Sequence, residues 1–350
     1  MRHEQIPREV VVACEGVWKL FGSDARNALA AITKEGAEKS EVLRRFGCVV
    51  AVRDVSFEIR RGEILCIMGL SGSGKSTLVR HINRLIEPTQ GVIRVNGEYI
   101  GRYNATELRR LRSTTIGMVF QNFALLPHRT VRDNVAFGLE LLGVAKLERW
   151  DRAQEIIEKI GLRGWEDRFP SDLSGGMCQR VGIARAMAVD PSILLMDEPF
   201  SALDPLIRRD LQSLFLSMSK SLHKTTLFIT HDLEEAFRMG DRIAIMKDGQ
   251  IVQIGTAAEI VSYPADSYVA EFVSGISRLQ FVRALHVMEP LAPQSRLIAG
   301  AAIFDQQSTL ESLIGPASQS QNPILLRDET GALVGQISRE KLLCAIKENR

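Results

Sequence analysis

The chain has 350 residues, 45% of them hydrophobic and 25% charged, which predicts one large soluble domain plus a smaller one. Its formal net charge of +2 is too balanced for a surface that coats nucleic acid. Its five cysteines are widely spaced and form no C-x-x-C pair, which argues against a disulfide framework or a zinc ribbon and favours a reducing compartment. We expect no membrane span and no secretory signal, because no apolar run reaches roughly 18 to 20 residues and the first residues are too acidic for a signal.

The first part of the chain contains two predicted strands separated by a segment of different composition. Residues 10–21 and 50–60 are the strands, and in the second of them Val55, Phe57 and Ile59 alternate with polar residues. Residues 22–48 are charged, rich in alanine and helical in period. This segment is predicted to be an inserted pair of short helices.

Short apolar runs then alternate with helical stretches along the chain. The runs predicted as buried strands are Ile64–Met68, Ile116–Phe120, Ile193–Met196 and Thr226–Thr230. The predicted helices are 76–86, 148–160, 177–189 and 205–222. A turn at Asp248-Gly249 joins two more predicted strands, Arg242–Met246 and Gln250–Ile254. The alternation indicates an α/β fold with a mostly parallel sheet covered on both faces.

The composition changes near residue 275. The remaining 75 residues are less regular and include a strand-like segment, PILLRDETGALVGQI, followed by a predicted helix, SREKLLCAIKEN. We therefore predict a domain over residues 1–275, which contains the insertion 22–48, and a separate small segment over residues 276–350.

A glycine- and serine-rich loop, GLSGSGKS from Gly69 to Ser76, lies between a predicted strand and a predicted helix. Small residues allow successive backbone N–H groups to point at phosphate oxygens, and the helix N-terminus adds positive potential. Lys75 is placed to reach the β- and γ-phosphates, and the Ser76 hydroxyl to bind Mg²⁺. An ordinary Gly/Ser turn is the alternative, and the strand–loop–helix context disfavours it.

Polar side chains follow three other predicted strands. Asp197 and Glu198 end the run ILLMDE, and two carboxylates after a buried strand need a cation or water. Asp197 suits Mg²⁺, and Glu198 is placed to polarise a water against the γ-phosphate, although a helix N-cap is the alternative. Gln121 and His231 also follow strands, where a simple loop role is the alternative. Ligand sites of open α/β sheets lie at the carboxyl ends of strands, so these residues are expected to meet.

A second anion-binding helix terminus is predicted at Leu173-Ser-Gly-Gly-Met177. On its own this segment is more typical of an ordinary helix cap. Two phosphate-binding termini in one chain nevertheless suggest that nucleotide is shared between two copies.

These motifs resemble an ATP-binding cassette (ABC) ATPase over roughly residues 8–275. GLSGSGKST matches the Walker A loop, ILLMDEP the Walker B strand and LSGGM the signature motif. Gln121, Ser201-Ala-Leu-Asp204 and His231 match the Q-loop, the D-loop and the switch histidine. The resemblance implies a P-loop NTPase fold with a mixed, mostly parallel sheet, an antiparallel β subdomain and a helical subdomain that carries the signature.

The resemblance also implies the cofactors ATP and Mg²⁺ and a head-to-tail homodimer. Ser174 and Gly176 of one copy would close over ATP held by Lys75 of the other, and Gln121 would link magnesium and water to a transmembrane permease. The implied catalytic residues are Glu198 as general base, His231 at the γ-phosphate and Gln121. The implied ATP-binding residues are Phe21, Gly69, Ser71, Gly72, Ser73, Gly74, Lys75, Ser76 and Thr77. Contact with ATP bound by the other copy is implied for the signature residues Leu173, Ser174, Gly175, Gly176 and Met177. The D-loop residues are Ser201 and Asp204. The implied metal ligands are Ser76, Gln121 and Asp197.

Longer segments narrow the resemblance to the glycine betaine/proline type of importer ATPase. They are the insertion after WKLFG, the run FALLPHRTVRDNVAFGLE and the run DEPFSALDPLIRRDLQ. This resemblance implies uptake of a quaternary amine such as glycine betaine, choline or proline betaine. It also implies a peripheral subunit at the cytoplasmic face of a bacterial inner membrane, with a permease and, indirectly, a periplasmic or extracellular solute-binding protein. Import of histidine or proline is the near alternative; a soluble ATPase acting on nucleic acid or the ribosome is the distant one, and no nucleic-acid partner is expected.

Two further features depend on this resemblance. The tail, especially PILLRDETGALVGQISREKLL, resembles a single cystathionine-β-synthase-type (CBS) repeat, which implies a small α+β regulatory segment. The aromatic residue that stacks on adenine matches Phe21, with Trp18 as the alternative; a packed strand residue is the other interpretation of Phe21.

Overall fold

The computed structural model describes residues 9–275, 277–291, 301–328 and 330–347. Its strands are β1 (Val10–Phe21), β2 (Val49–Arg60), β3 (Ile64–Met68), β4 (Gln90–Val95), β5 (Glu98–Tyr99), β6 (Ile116–Val119), β7 (Ile193–Asp197), β8 (Thr225–Thr230), β9 (Arg242–Lys247), β10 (Gln250–Gly255), β11 (Ile303–Asp305), β12 (Ile324–Arg327) and β13 (Leu333–Ile337). Its α-helices are α1 (Ala25–Ala30), α2 (Lys39–Phe46), α3 (Lys75–Ile82), α4 (Ala105–Arg110), α5 (Val131–Leu141), α6 (Lys146–Lys159), α7 (Gly175–Met187), α8 (Pro205–Ser221), α9 (Leu233–Met239), α10 (Ala257–Ser262), α11 (Ser267–Val273), α12 (Leu310–Gln319) and α13 (Arg339–Lys347).

The chain divides into two compact units, residues 1–254 and 255–350. The boundary predicted from composition, after residue 275, lies later in the chain and stays a prediction. Within the described segments, none of the helices combines the length and the apolar character needed to traverse a bilayer.

The first unit is built on a six-stranded sheet in the order β10-β9-β3-β8-β7-β6. Strands β9, β3, β8, β7 and β6 run parallel. The two-residue turn at Asp248-Gly249 joins β9 to β10, and so short a connection requires antiparallel strands. β3, β7 and β8 are buried at every position, which explains why their sequences are continuous apolar runs rather than alternating ones. The mixed, mostly parallel sheet is confirmed.

A second, antiparallel sheet of the first unit has the order β2-β1-β4-β5. The inserted helices α1 and α2 pack on β1 and β2 through a small apolar cluster that includes Trp18, Leu29 and Val42. The first inserted helix continues as a π-helical turn over Ala31–Glu35. Helices α5, α6 and α7 contact one another and form a helical subdomain within this unit. The antiparallel subdomain, the inserted helices and the helical subdomain are therefore all present.

The second unit contains a three-stranded sheet in the order β11-β12-β13. β11 pairs parallel with β12, and β12 pairs antiparallel with β13. Leu310 and Leu313 of α12 pack with Leu326, Ile337 and Leu342 in its core. The predicted strand-then-helix pattern of residues 323–349 is found over the described positions, while the likeness to a CBS repeat stays a prediction.

Two of the differences between predicted and observed helix boundaries have a clear local cause. The helix predicted over 76–86 ends at Ile82, because Arg84 adopts a left-handed conformation (φ 53°) and its guanidinium donates to the carbonyls of Ile100 and Tyr103. The helix predicted over 177–189 begins earlier, at Gly175, since Ser174 caps its first turn.

Candidate functional site

The parallel strands of the six-stranded sheet end together at one edge. Met68 of β3 is level with Thr230 of β8, and Asp197 of β7 is level with Ile229. The loop that begins at Gly69, the pair Asp197-Glu198, and His231 therefore leave the sheet at the same edge. Gln121 joins them from the end of β6, which pairs with β7. The convergence that the strand ends predict is present.

The loop between β3 and α3 has a backbone that requires its glycines. Gly69 and Gly74 have φ values of 153° and 99°, in the region that favours glycine. A Cβ on Gly69 would lie 2.2 Å from the carbonyl oxygen of Met246, and one on Gly74 would lie 2.2 Å from that of Ala51. Gly72 has φ 79° with no neighbouring atom within 4 Å of its Cβ position. The loop is thus a curved backbone cradle that leads into the N-terminus of α3, the form that binds phosphate.

Lys75 lies at the start of α3 and turns back into this cradle. Its Nζ donates to the carbonyl oxygens of Gly69 at 2.8 Å and Leu70 at 3.0 Å, and only 5% of the residue is exposed. Burial lowers the pKa of Lys75, and the nearby charges of Glu198 and Asp197 act against that shift. The ammonium group is held by neutral carbonyls, which leaves it able to pair with an anion that enters the cradle.

The carboxylate of Asp197 is buried and has a hydrogen bond on each oxygen. Ser76 Oγ donates to Oδ1 at 2.7 Å, and Arg80 Nη2 donates to Oδ2 at 3.2 Å. Ser76 and Arg80 are one turn apart on α3 and so present the same helix face to β7. The hydroxyl and the carboxylate proposed for magnesium are therefore direct neighbours, and Arg80 is a contact that sequence reasoning missed. Its spacing four residues after Ser76 was the available signal.

Glu198 lies at the centre of the three polar strand ends. Its Oε2 is 3.0 Å from His231 Nδ1 and 3.4 Å from Gln121 Nε2. A carboxylate oxygen only accepts, so His231 donates through Nδ1. Glu198 itself has φ 47°, a left-handed conformation that is costly outside glycine and that clusters at functional sites. The residue is thus held in a strained geometry with its carboxylate between two polar side chains.

The D-loop follows Glu198 directly. Ser201 Oγ donates to the Glu198 carbonyl at 3.0 Å, and Asp204 is the N-cap residue of α8 without a side-chain capping bond. Ser201 is therefore part of the turn that fixes Glu198, whereas the exposed Asp204 side chain is open to another partner.

The signature segment lies at the N-terminus of α7. Ser174 caps this helix by accepting from the Met177 N–H at 3.4 Å, and both Ser174 and Gly175 are exposed. Gly176 packs on α8, because a Cβ there would lie 2.7 Å from Ile207 Cγ2. Over the described residues, no hydrogen bond or ion pair links Leu173–Met177 to residues 69–77. The two predicted phosphate-binding termini are thus not brought together within one chain.

The two aromatic candidates for adenine differ in exposure. Phe21 is 43% exposed at the end of β1, and Lys19 Nζ lies 4.9 Å from its ring centroid. Trp18 is 7% exposed and is part of the apolar cluster under the inserted helices. Only Phe21 offers a ring face to a ligand without rearrangement of that cluster.

A second cation that sequence reasoning missed is Arg185 of α7. It donates to the carbonyls of Phe123 at 2.9 Å and Ala124 at 2.5 Å, two consecutive residues with positive φ just after Gln121. Burial lowers the pKa of Arg185. Its partners are backbone atoms distant in the chain, so no side-chain pattern in the sequence signals this contact.

The arrangement as a whole suits a magnesium-bound nucleoside triphosphate. The cradle has no room for side chains at Gly69 and Gly74, and the hydroxyl of Ser73 inside it is buried without a hydrogen-bond partner. Over the described residues, no cluster of three or more His, Cys, Asp or Glu could hold a metal by itself. A hydroxyl and one carboxylate match Mg²⁺, which takes few protein ligands and completes its shell with phosphate and water.

Comparisons with known proteins agree with this chemistry. Residues 52–201 match the family model described as ABC transporter. The chain is 50% identical over 282 residues to the glycine betaine transport ATP-binding protein of Bacillus subtilis (strain 168), covering 81% of this chain and 67% of that protein. It is 43% identical over 333 residues to the trimethylamine N-oxide transport system ATP-binding protein of Pelagibacter ubique (strain HTCC1062), covering 95% and 96%. The dimeric post-hydrolysis structure of the ATP-binding cassette MJ0796, bound to ADP and Pi, superposes with a TM-score of 0.60 at 31% identity over 70% of this chain and 98% of that one.

Proposed function

The chain belongs to the ABC transporter family of ATP-binding proteins, and on that premise we propose that it hydrolyses ATP to drive uptake of a small amine with a methylated nitrogen. The observation that carries the proposal is the meeting of Lys75, Ser76, Asp197, Glu198 and His231 at one sheet edge. These are the groups that phosphoryl transfer from ATP to water requires.

Each of these residues has a defined part in the proposed reaction. The backbone N–H groups of the cradle and Lys75 bind the β- and γ-phosphates. The water oxygen attacks the γ-phosphorus while the bond to the departing ADP oxygen breaks, and Glu198 accepts the proton of that water. The contact of Glu198 with His231 orients its carboxylate. His231 also contacts the γ-phosphate, through the ring nitrogen Nε2 that its bond to Glu198 leaves free. Phe21 stacks on the adenine, because its ring is the exposed one.

Magnesium is proposed at Ser76, Asp197 and Gln121. Ser76 and Asp197 already share a 2.7 Å hydrogen bond, and Gln121 reaches the same site through Glu198. When bound, Mg²⁺ neutralises charge on the β- and γ-phosphates. Arg80 occupies the second oxygen of Asp197 and so fixes the direction of the first.

We propose that the complete site forms between two copies of the chain. Ser174, Gly175 and Gly176 lie at a helix N-terminus that has no contact with the phosphate cradle of its own chain over the described residues. An exposed helix N-terminus with a serine hydroxyl suits the γ-phosphate held by another copy. The solved MJ0796 structure is described as dimeric and bound to ADP and Pi, which supports a nucleotide-bound dimer here.

The membrane partner is proposed from the relatives. They are named as transport ATP-binding proteins, so we propose a peripheral subunit on the cytoplasmic face of a bacterial membrane, with a permease that contacts the surface around Gln121 and a separate solute-binding protein. Residues 276–350 are proposed as a regulatory segment of the CBS type.

The names of the relatives suggest two solutes, glycine betaine and trimethylamine N-oxide. The glycine betaine relative has the higher identity, and the trimethylamine N-oxide relative matches almost the whole length of both chains. Both solutes carry a methylated nitrogen, so glycine betaine and trimethylamine N-oxide are the two candidate solutes within the proposed class.

The test is solute uptake by the whole transporter in liposomes with ATP inside. Labelled glycine betaine, choline, trimethylamine N-oxide, proline and histidine are compared, with Glu198→Gln as the control that binds ATP without turnover. We expect ATP-dependent uptake of one or more methylated amines and none in the control. Uptake of only histidine or proline would contradict the proposed solute class.

A further inference from the structure

Arg208 lies in the first turn of α8 and contacts two loops of the candidate site. Its Nη1 donates to Asp232 Oδ2 at 3.0 Å, and its Nη2 donates to the Leu203 carbonyl at 3.1 Å. Leu203 belongs to the loop that follows Glu198, and Asp232 directly follows His231. One planar guanidinium thus joins the loop that carries Glu198 to the loop that carries His231.

The loop that carries His231 is also fixed locally. Asp232 Oδ1 caps α9 by accepting from the Glu235 N–H at 3.0 Å, and the Asp232 N–H donates to Thr230 Oγ1 at 2.9 Å. The two oxygens of Asp232 therefore have separate functions: Oδ1 holds its own helix and Oδ2 holds Arg208. Arg208 therefore links the two loops through contacts that are separate from the Glu198–His231 hydrogen bond itself.

The position of one loop against the other matters because Glu198 is strained. Its φ of 47° persists only when the surroundings hold it, and its carboxylate must stay 3.0 Å from His231. Misplacement of a reacting group by about 1 Å can reduce a rate by about 10²-fold. A contact that fixes the separation of the two loops therefore acts on catalysis without touching the nucleotide.

We propose that Arg208 is a positioning residue that sets His231 against Glu198. The inference rests on the proposed function, because it assumes that these two residues act on ATP. Arg208 makes one charged contact to a carboxylate and one contact to a backbone carbonyl, and a planar guanidinium can satisfy both while a lysine ammonium cannot match this geometry.

The experiment compares Arg208→Gln with Arg209→Gln in the full chain. Arg209 is the next residue of the same helix, carries the same charge, is exposed, and has no side-chain hydrogen bond or ion pair over the described residues. We expect Arg208→Gln to lower kcat about tenfold with the Kd for ATP unchanged, and Arg209→Gln to alter neither. Equal kcat values for the two variants would overturn the proposal.

A second variant breaks the same contact from the other side. Asp232→Asn keeps an oxygen for the cap of α9, since Asn is also a good N-cap, but it removes the charge that Arg208 contacts. We expect the same loss of kcat as for Arg208→Gln, and no further loss in the double variant. This variant also provides the comparison if Arg208→Gln does not fold, and a wild-type kcat in Asp232→Asn would overturn the proposal.

A chain that already carries His231→Ala distinguishes a positioning role of Arg208 from a purely structural one. If Arg208 acts through His231, Arg208→Gln lowers kcat in the wild-type chain and adds no loss to His231→Ala. Losses that multiply would assign Arg208 to general stability instead. If the proposed function itself is wrong, the result is different: the Glu198→Gln chain then hydrolyses ATP at the same rate as the wild-type chain.

Discussion

Replacing Glu198 by Gln removes a base while conserving the local geometry. Oε2 of Glu198 is the common acceptor for His231 Nδ1 at 3.0 Å and Gln121 Nε2 at 3.4 Å. A glutamine has the same length and retains one acceptor oxygen, which can take the same two contacts. The cradle at Gly69–Ser76 is unchanged by the substitution. What is lost is the ability to take a proton from water.

The expected magnitude follows from that loss alone. General base catalysis contributes about 10²- to 10⁴-fold to a rate, so kcat for ATP hydrolysis should fall by at least about 100-fold, or about 2.7 kcal/mol in activation free energy. The Kd for ATP should stay within about twofold of the wild-type value. Phosphate release measures kcat, a fluorescent ATP analogue measures Kd, and sedimentation should show an ATP-bound dimer that accumulates.

The matched control is Glu234→Gln, an exposed glutamate close to His231 in the chain. It should leave both constants unchanged. A Glu198→Gln chain that binds ATP and hydrolyses it within about twofold of the wild-type rate would refute the role of Glu198 as the base.

Two other substitutions and one truncation test the adenine contact, the buried carboxyl group of Glu235 and the domain boundary. Phe21→Ala should raise the Kd for ATP between about two- and tenfold with little change in kcat, while Trp18→Phe leaves the Kd unchanged; equal effects would contradict stacking on Phe21. Burial raises the pKa of Glu235, so its ionisation destabilises the fold progressively as the pH rises above the unfolded pKa. Glu235→Gln retains an acceptor for Gln212 and should raise Tm at pH 8 with no gain near pH 4; a lower Tm at pH 8 is the contrary result. A chain that ends at Gly275 should keep ATP binding and basal hydrolysis, and calorimetry that shows no ATP binding would refute the domain boundary.

Sequence reasoning was most successful where local chemistry determines structure. Ile64–Met68 and Ile193–Met196 are continuous apolar runs because both faces of their sheet are covered. The loop at Gly69–Ser76 could be predicted because its backbone excludes any Cβ at two of its glycines. Placement of Asp197, Glu198 and His231 at one edge followed from the parallel strands.

Contacts to backbone atoms were beyond the sequence. Arg185 and Arg208 both bind carbonyl oxygens, and every residue has a carbonyl, so no residue type marks the partner. Arg84 ended α3 early for the same reason, through carbonyls of Ile100 and Tyr103. The left-handed conformation of Glu198 was also hidden, because the surrounding loops rather than the residue type impose it.

We propose that ATP is hydrolysed between two copies of this chain. It is tested most directly by the ATPase rate per chain over a wide range of protein concentration, for the wild type and for Ser174→Arg. We expect a rate that rises with concentration as dimers form, and a Ser174→Arg chain that binds ATP but does not hydrolyse it at any concentration. A rate per chain that is independent of dilution in a monomeric protein, and that persists in Ser174→Arg, would contradict it.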